Sequence, residues 1–389
     1  MSSFSRIPYG RQTVTQEDID AVVETLRSDF LTQGPKIAEF EEAFAAYVGA
    51  KYAVAVANGT AALHLAALAL GVGGKSRVLT TPITFVASAN CVLYCGGSVD
   101  FVDVDPESAL LDLDALEIKL KKSPGLYAGV IPVDFAGLPV DLEKLRSIAD
   151  RHGLWILEDA CHAPGASFRS KAGTWEKCGS GKWADISIFS FHPVKHIASG
   201  EGGMITTNNR ALYDKVSLLR THGITRDTAS YQNRDMAGEG AWYYEMQELG
   251  FNYRMPDILA ALGLSQLRRA EEGLARRRAI ARRYDSAFAN SSAAPMIPTE
   301  SELHAYHLYI VRVENRRAVY DRLREKGILA QVHYVPVHLQ PFYRRLGFGP
   351  GDFPAAEQFY SSAISLPMFP GLSDSDVDRV IASVLESVE

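Results

Sequence analysis

From about residue 50 the chain alternates between short β-branched runs and helical stretches, and this order restricts it to an α/β architecture. Residues 51–57 predict a strand and 60–70 a helix; 77–81 predict a second strand, 83–94 a helix, and 99–104 and 129–135 two further strands. Asp141 is placed to cap a helix whose Leu142, Leu145, Ile148 and Ala149 share one face, and Gly153 stops it before a strand over 154–157. Trp155-Ile156-Leu157 is continuously apolar, as expected of a strand buried on both faces of a parallel sheet. The expectation is a large three-layer α/β/α domain with a mostly parallel mixed sheet. After Pro256 one long helical pattern runs through Leu259, Leu262 and Leu267 to about Phe288. Strand-like 307–313, helical 317–326 and strand-like 328–333 then predict a smaller C-terminal α+β domain. The expected division is 1–265 for the large domain and 266–389 for the linker helix and small domain. Arg276-Arg277-Arg278, flanked by Glu271 and Glu272, reads as a solvated helix face.

With 389 residues the chain is long enough for two domains and a substantial core. Its formal charge of −6 gives no basic field for nucleic acid or a membrane surface. The most hydrophobic segment, 61–71, is too short to span a bilayer and contains His64. No leader-like pattern opens the sequence, so a cytoplasmic location is expected. Cys91, Cys95, Cys161 and Cys178 form no CxxC pair or zinc-like ladder, which predicts reduced thiols and no metal site.

Chemistry is most concentrated around Lys195, between the strand-like run 186–191 and the glycine-rich turn Gly200-Glu201-Gly202-Gly203. At the rim of a buried strand a desolvated lysine amine becomes nucleophilic and forms a Schiff base, for which pyridoxal phosphate is the obvious aldehyde. An ordinary surface lysine in a loop is the competing description. Asn58-Gly59-Thr60-Ala61 joins a strand to a helix and presents N–H groups that suit a phosphate, or simply caps the helix. Glu158-Asp159-Ala160-Cys161-His162 sets two carboxylates and a histidine at the C-terminal edge of the sheet. Asp159 there either holds a pyridine nitrogen protonated, or caps a helix or pairs with a cation. Phe85 is a stacking ring or a core residue. Asn252 and Arg254 face a phosphate or belong to a polar loop.

Taken together these segments resemble the sugar aminotransferases of the DegT/DnrJ/EryC1/StrS type, which are fold type I pyridoxal phosphate enzymes. The resemblance covers nearly the whole chain. It is carried by Asp29-Phe30-Leu31-Thr32-Gln33-Gly34, the Asn58 turn, Thr81-Pro82-Ile83-Thr84-Phe85, the Asp159 and Lys195 segments, and Gly250-Phe251-Asn252-Tyr253-Arg254. It implies that Lys195 is the Schiff-base lysine, Asp159 the partner of the pyridine nitrogen and Phe85 the stacking ring. It places His162 beside the ring and assigns Thr60, Ala61 and Ser190 to the phosphate. Asn252 would reach the cofactor phosphate of a second subunit, which implies a homodimer with shared active sites.

Within the family, the segments 243–257 and 327–343 are similar to the branch that aminates position 4 of a UDP-linked 4-keto-6-deoxy-N-acetylhexosamine on the way to pseudaminic acid, with L-glutamate as donor. Thr32, Gln33, His222, Arg226, His333, Tyr334 and His338 are the candidates for holding the UDP-sugar, although His333 at a strand end reads equally as a structural histidine. Two departures stand out. The stretch after the lysine is His196-Ile197-Ala198-Ser199 where that branch usually carries Pro-Ile-Thr-Thr, and 174–182, with Cys178, reads as a surface loop. The rival readings are an aminotransferase for another nucleotide-linked keto sugar, a related dehydratase with histidine at the lysine position, a silent sugar-nucleotide sensor and a nicotinamide oxidoreductase. Lys195 opposes the dehydratase. Gly71-Val72-Gly73-Gly74 follows a helix rather than a first strand, which opposes the oxidoreductase.

Overall fold

A computed structural model describes residues 5–236, 238–296 and 304–389. Its centre is a seven-stranded sheet of β1 (Tyr52–Val56), β2 (Arg77–Thr80), β3 (Ser98–Phe101), β4 (Gly129–Ile131), β5 (Trp155–Asp159), β6 (Ile186–Ser190) and β7 (Gly203–Thr207), in the order β1-β7-β6-β5-β4-β2-β3. The pairs β2–β3, β2–β4, β4–β5 and β5–β6 are parallel, and β7 runs antiparallel to both β1 and β6. Successive residues of these strands face opposite sides. Val54, Val78, Ile131, Leu157, Ile188 and Ile205 share one core with helix residues Ala62, Leu65 and Val92. Ala53, Phe189 and Met204 pack on the other side with Phe40 and Phe44, and Leu79, Val130 and Ile156 with Leu116 and Leu145. These are the three layers expected from the apolar strands.

The helices are α1 (Gln16–Leu26), α2 (Pro35–Val48), α3 (Gly59–Ala69), α4 (Ala87–Tyr94), α5 (Leu113–Lys122), α6 (Leu142–His152), α7 (Arg210–Arg220), α8 (Asp257–Leu267), α9 (Ala270–Phe288), α10 (Arg316–Glu325), α11 (Pro341–Arg344), α12 (Pro354–Ser362) and α13 (Asp374–Val388). Asp141 caps α6 by accepting the Lys144 N–H at 2.9 Å, and Gly153, at φ 67°, closes it. The helix expected over 83–94 begins only at Ala87. Pro82 lacks an N–H, and the Thr81 hydroxyl takes the Ile83 N–H, so 82–86 form a turn that carries Phe85.

The C-terminal strands β8 (Ala294–Pro295), β9 (Tyr309–Arg312) and β10 (Ala363–Leu366) form a separate antiparallel sheet in the order β8-β9-β10. Its core joins Tyr284, Phe288, Val311, Ile364 and Val380 with Ile7 from the start of the chain. Of the strand expected over 328–333, only Ile328–Leu329 pairs as a strand, with Ile7–Pro8; beyond it the chain turns toward the large sheet.

The long helix expected after Pro256 is interrupted between α8 and α9. Ser265, Gln266 and Arg269 all bond to the buried Asp18, at 2.7, 2.7 and 2.5 Å, and this convergence sits at the break. The arginine cluster also differs from its expected character. Arg277 is buried at 1% exposure, and its Nη1 donates to the carbonyls of Tyr306, His307 and Met368 at 3.1, 3.4 and 2.8 Å. Flanking charge pointed to solvent, but α9 turns this one side chain inward, where three carbonyls bond its Nη1. Removing a buried cation whose Nη1 serves three carbonyls leaves those carbonyls short of a donor. Arg277→Ala is expected to lower apparent stability by about 3 kcal/mol in urea unfolding, whereas Arg276→Ala, on the half-buried face, costs about 1 kcal/mol or less.

Candidate active site

A cavity of about 450 Å³ opens at the C-terminal edge of β5 and β6, bounded also by the starts of α3 and α4. This is the edge at which open α/β sheets bind ligands, because strand ends and helix N-termini converge there. Lys195 stands in its wall on the loop after β6, and Asp159, the last residue of β5, in the same wall. Burial pulls the Lys195 amine below its usual proton affinity; Cys161 and Asp159 oppose that pull, and the Arg277 charge adds to it. Lys195 Nζ lies 3.5 Å from His307 Nε2.

Asp159 is held from two directions. The Ser88 hydroxyl donates to Oδ2 at 2.6 Å and the Cys161 N–H to Oδ1 at 3.1 Å, which fixes the carboxylate and leaves acceptor capacity on each oxygen. His162 is buried beside it. Its Nδ1 accepts the Ala136 N–H at 3.2 Å, so the proton is assigned to Nε2, which donates to the Tyr334 hydroxyl oxygen at 3.3 Å. Burial and the Lys195 charge keep this imidazole neutral. The same forces push His333 down to about 4, and its Nδ1 sits 2.9 Å from the Ser365 hydroxyl.

At the start of α3, Asn58 Oδ1 accepts the Ala61 N–H at 2.8 Å, while the N–H groups of Gly59 and Thr60 have no hydrogen-bond partner among the described residues. Gly59 lies against Ser190: a Cβ built on it would fall 3.0 Å from the Ser190 Cβ. Together these groups form a small concave surface of donors and a hydroxyl at a helix N-terminus, suited to an anion.

The cavity therefore brings together Lys195, Asp159, His162, Thr60, Phe85, Ser190, His333 and Tyr334. Phe85 is 58% exposed, with its ring 6.3 Å from that of Tyr334. Ala61 is not brought in: its side chain enters the core and its N–H is used by Asn58. Thr32, Gln33, His222, Arg226 and Asn252 are exposed and lie outside this chain's cavity wall. His338 is fully buried and bonded to Glu357 at 3.0 Å, also away from the cavity, so its place is in the C-terminal packing and not among substrate ligands. Glu158 points to the other side of β5, where Ser187 and the Gly179 N–H bond it beside Asp134 and Cys178. Cys178 is thereby buried although it falls in the stretch read as a surface loop. All four cysteines are free thiols.

Sequence reasoning passed over Tyr9, Ser88, His192, Glu201 and His307, all at or beside the cavity. Ser88 had a signal, lying three residues beyond Phe85 in the same segment; His307 had none, because its role depends on the C-terminal segment folding back onto Lys195.

A half-buried, desolvated lysine and a fixed carboxylate at the open edge of this sheet, beside a helix N-terminus built for an anion, define a pyridoxal-phosphate-dependent aminotransferase of fold type I. The chain belongs to the DegT/DnrJ/EryC1/StrS aminotransferase family, whose model matches residues 12–385. It is 38% identical to the spore coat polysaccharide biosynthesis protein SpsC of Bacillus subtilis, covering 98% of this chain and 97% of that one. It is 36% identical to the UDP-4-amino-4,6-dideoxy-N-acetyl-beta-L-altrosamine transaminase of Campylobacter jejuni, covering 98% of each. Among solved structures it superposes on Helicobacter pylori PseC, an aminotransferase involved in the biosynthesis of pseudoaminic acid, with a TM-score of 0.88, 31% identity and 99% of both chains covered. It superposes equally, with a TM-score of 0.88 and 31% identity over 98% of both chains, on the PLP-form of the putative sugar aminotransferase Spr1654 from Streptococcus pneumoniae. The protein is a sugar aminotransferase and its cofactor is pyridoxal 5′-phosphate.

The residues present fit that cofactor. Unpartnered N–H groups at Gly59 and Thr60 suit a phosphate, Asp159 retains acceptor capacity for a protonated pyridine nitrogen, and Lys195 supplies the amine. When bound, the cofactor supplies an aldehyde and a ring that takes up the electron pair left by a departing proton. Two variants probe the fit. Gly59→Ala crowds Ser190 and is expected to raise the Kd for pyridoxal phosphate about tenfold in a fluorescence titration. Ser88→Ala removes the 2.6 Å bond to Asp159. It is expected to lower kcat about tenfold with cofactor affinity within about twofold of the parent, read by steady-state kinetics and the same titration.

Proposed function

We propose that the protein transfers an amino group from L-glutamate to the 4-keto position of a UDP-linked 4-keto-6-deoxy-N-acetylhexosamine, in the cytoplasm, on a route to pseudaminic acid. The observation that carries this reading is the full-length likeness to the C. jejuni transaminase, 98% of each chain at 36% identity, on a site that presents a half-buried lysine amine and a fixed carboxylate. In this reading Lys195 Nζ removes the proton from the donor's α-carbon and later delivers a proton to C4 of the sugar. Asp159 holds a proton on the pyridine nitrogen, and the neutral His162 and Tyr334 orient the ring and exclude water. Thr60 and Ser190 with the Gly59 N–H hold the phosphate. Residues 1–265 carry the cofactor and 266–389 close over the sugar, whose neighbours in this chain are His333 and Tyr334. The exposed Thr32, Gln33, His222, Arg226 and Asn252 act across a homodimer, in the site of a second copy, where Asn252 meets the phosphate.

The name of the 38%-identical SpsC refers to a coat polysaccharide, which favours a second reading: the same chemistry on another nucleotide-linked keto sugar. The test is to mix purified holoenzyme with L-glutamate alone, then add the UDP-4-keto-6-deoxy-N-acetylhexosamine. About one 2-oxoglutarate per active site is expected from glutamate alone, followed by continuous turnover and a 4-amino sugar product once the keto sugar is present. A burst without turnover on that sugar moves the assignment to the second reading, and no burst removes glutamate as donor. Asp159→Ala is expected to lower the burst rate by about 100-fold or more while retaining bound cofactor.

A further inference from the structure

Among the described residues, the only hydrogen-bond partner of Lys195 Nζ is Nε2 of His307, 3.5 Å away. His307 is 4% exposed, on the segment that enters β9, and its backbone is pinned because Arg277 bonds its carbonyl and those of Tyr306 and Met368. Its ring lies 4.2 Å from the ring of His162 and 5.8 Å from that of His196. Neither neighbour competes for Lys195 through a hydrogen bond. His162 uses its two nitrogens on the Ala136 N–H and the Tyr334 hydroxyl; His196 Nε2 donates to the Ala305 carbonyl at 2.9 Å, and His333 Nδ1 faces Ser365. His307 Nδ1 has no partner at all among the described residues.

A buried imidazole with one nitrogen unpartnered is less stable than one with both nitrogens satisfied. A leucine fills comparable space without that cost, so what the imidazole contributes lies at the nitrogen facing the lysine. We propose that His307 is the positioning residue for Lys195: its Nε2 accepts a hydrogen bond from the amine, aims the remaining lone pair toward the substrate carbon, and stabilises the ammonium that forms when a proton is taken up. The electron pair on Nζ takes the proton from the donor's α-carbon, and the same N–H bond breaks when the proton is delivered to the acceptor carbon. His307 gains and loses no proton in either transfer. This inference rests on the aminotransferase assignment and not on the identity of the sugar.

The charge balance around Nζ supports the need for such a partner. Arg277 and burial disfavour the ammonium; Asp159 and Cys161 favour it; His162, His196, His307 and His333 are all held neutral, and Glu201, His192, Tyr9 and Tyr334 line the same cavity. A hydrogen bond accepted from the charged form raises proton affinity. Its loss therefore lowers the proton affinity of Lys195, which moves the acid limb of the rate profile to lower pH and weakens the base on the plateau.

The glutamate half-reaction isolates this step from the sugar. His307→Leu is expected to reduce its kcat by about 10- to 100-fold with KM for glutamate within about twofold, to increase the isotope effect with α-deuterated glutamate, and to shift the acid limb to lower pH. His307→Gln, whose side-chain carbonyl reaches the Nε2 position, is expected to recover at least half of the loss on a logarithmic scale. A second readout does not involve turnover: in the pyridoxamine phosphate form, where Lys195 is free, its acetylation followed by mass spectrometry across pH should show a lower midpoint in His307→Leu than in the parent. Equal damage in the leucine and glutamine variants, or an unchanged acid limb and acetylation midpoint in His307→Leu, overturns the proposal and leaves His307 a packing residue. Should His307→Leu fail to fold, His307→Asn, whose amide reaches only the Nδ1 position, takes its place in each comparison. Failure of the keto sugar to turn over bears on the sugar assignment and leaves these half-reaction outcomes untouched.

Discussion

Desolvation of Lys195 sets the terms that its surroundings meet. An ammonium in bulk water is stable and unreactive; at the edge of a buried sheet the charged form loses its hydration and the amine becomes available. In the proposed reaction that shift is useful only if it stops short of abolishing proton affinity, because the same nitrogen is to accept a proton and give it back. Asp159 and Cys161 pull one way and Arg277 the other. The three arrive from different parts of the chain: the end of β5, the second residue beyond it, and the middle of α9. The lysine is thus tuned by the tertiary structure as a whole.

Arg277 shows how far this coupling extends. Its guanidinium ties the backbone of 306–307 to Met368 and so fixes the segment that places His307 beside Lys195. The residue that bonds these three carbonyls also carries a permanent positive charge that acts on the lysine. A change at Arg277 is thereby felt twice, once in packing and once in the proton affinity of an amine that it does not touch. Position 18 plays a comparable part at the other end of the linker. The buried Asp18 collects Ser265, Gln266 and Arg269 where α8 gives way to α9, the helix that carries Arg277.

Most of the large sheet was legible because its strands are short, apolar and bounded by turn residues, and because Asp141 and Gly153 mark helix ends by chemistry that acts within a few residues. Lys195, Asp159 and His162 were legible for the same local reason: each lies just past a strand that the sequence announces. What escaped was set by contacts between residues far apart. The break at Arg268-Arg269 depends on Asp18, some 250 residues away in the chain. The inward turn of Arg277 depends on carbonyls at 306, 307 and 368. His338, chosen for its position in a motif rich in aromatic and polar residues, is claimed by Glu357, and nothing nearby in sequence marks that pairing. Composition and periodicity report which face of an element is apolar; they do not report which polar group a buried side chain meets.

The electrostatics of the cavity also bear on the dimer. Its wall in this chain carries no arginine among the described residues and no lysine besides Lys195, yet the ligands proposed for it include a cofactor phosphate, a dicarboxylate and a sugar diphosphate. Helix N-terminal N–H groups contribute partial positive charge at best. Several anions held close together in a cavity of this kind need full cations to offset their mutual repulsion and desolvation. The polar candidates that the cavity lacks, Arg226 and His222 with Thr32, Gln33 and Asn252, lie exposed elsewhere on the chain. Trp242, Met246 and Leu249, in the segment leading to Asn252, are also exposed, at 73%, 62% and 79%. The proposed homodimer would let a second copy cover the apolar residues and bring the polar ones to the cavity. In the proposed homodimer, the lining set and the exposed set of sequence-marked residues would meet in one site.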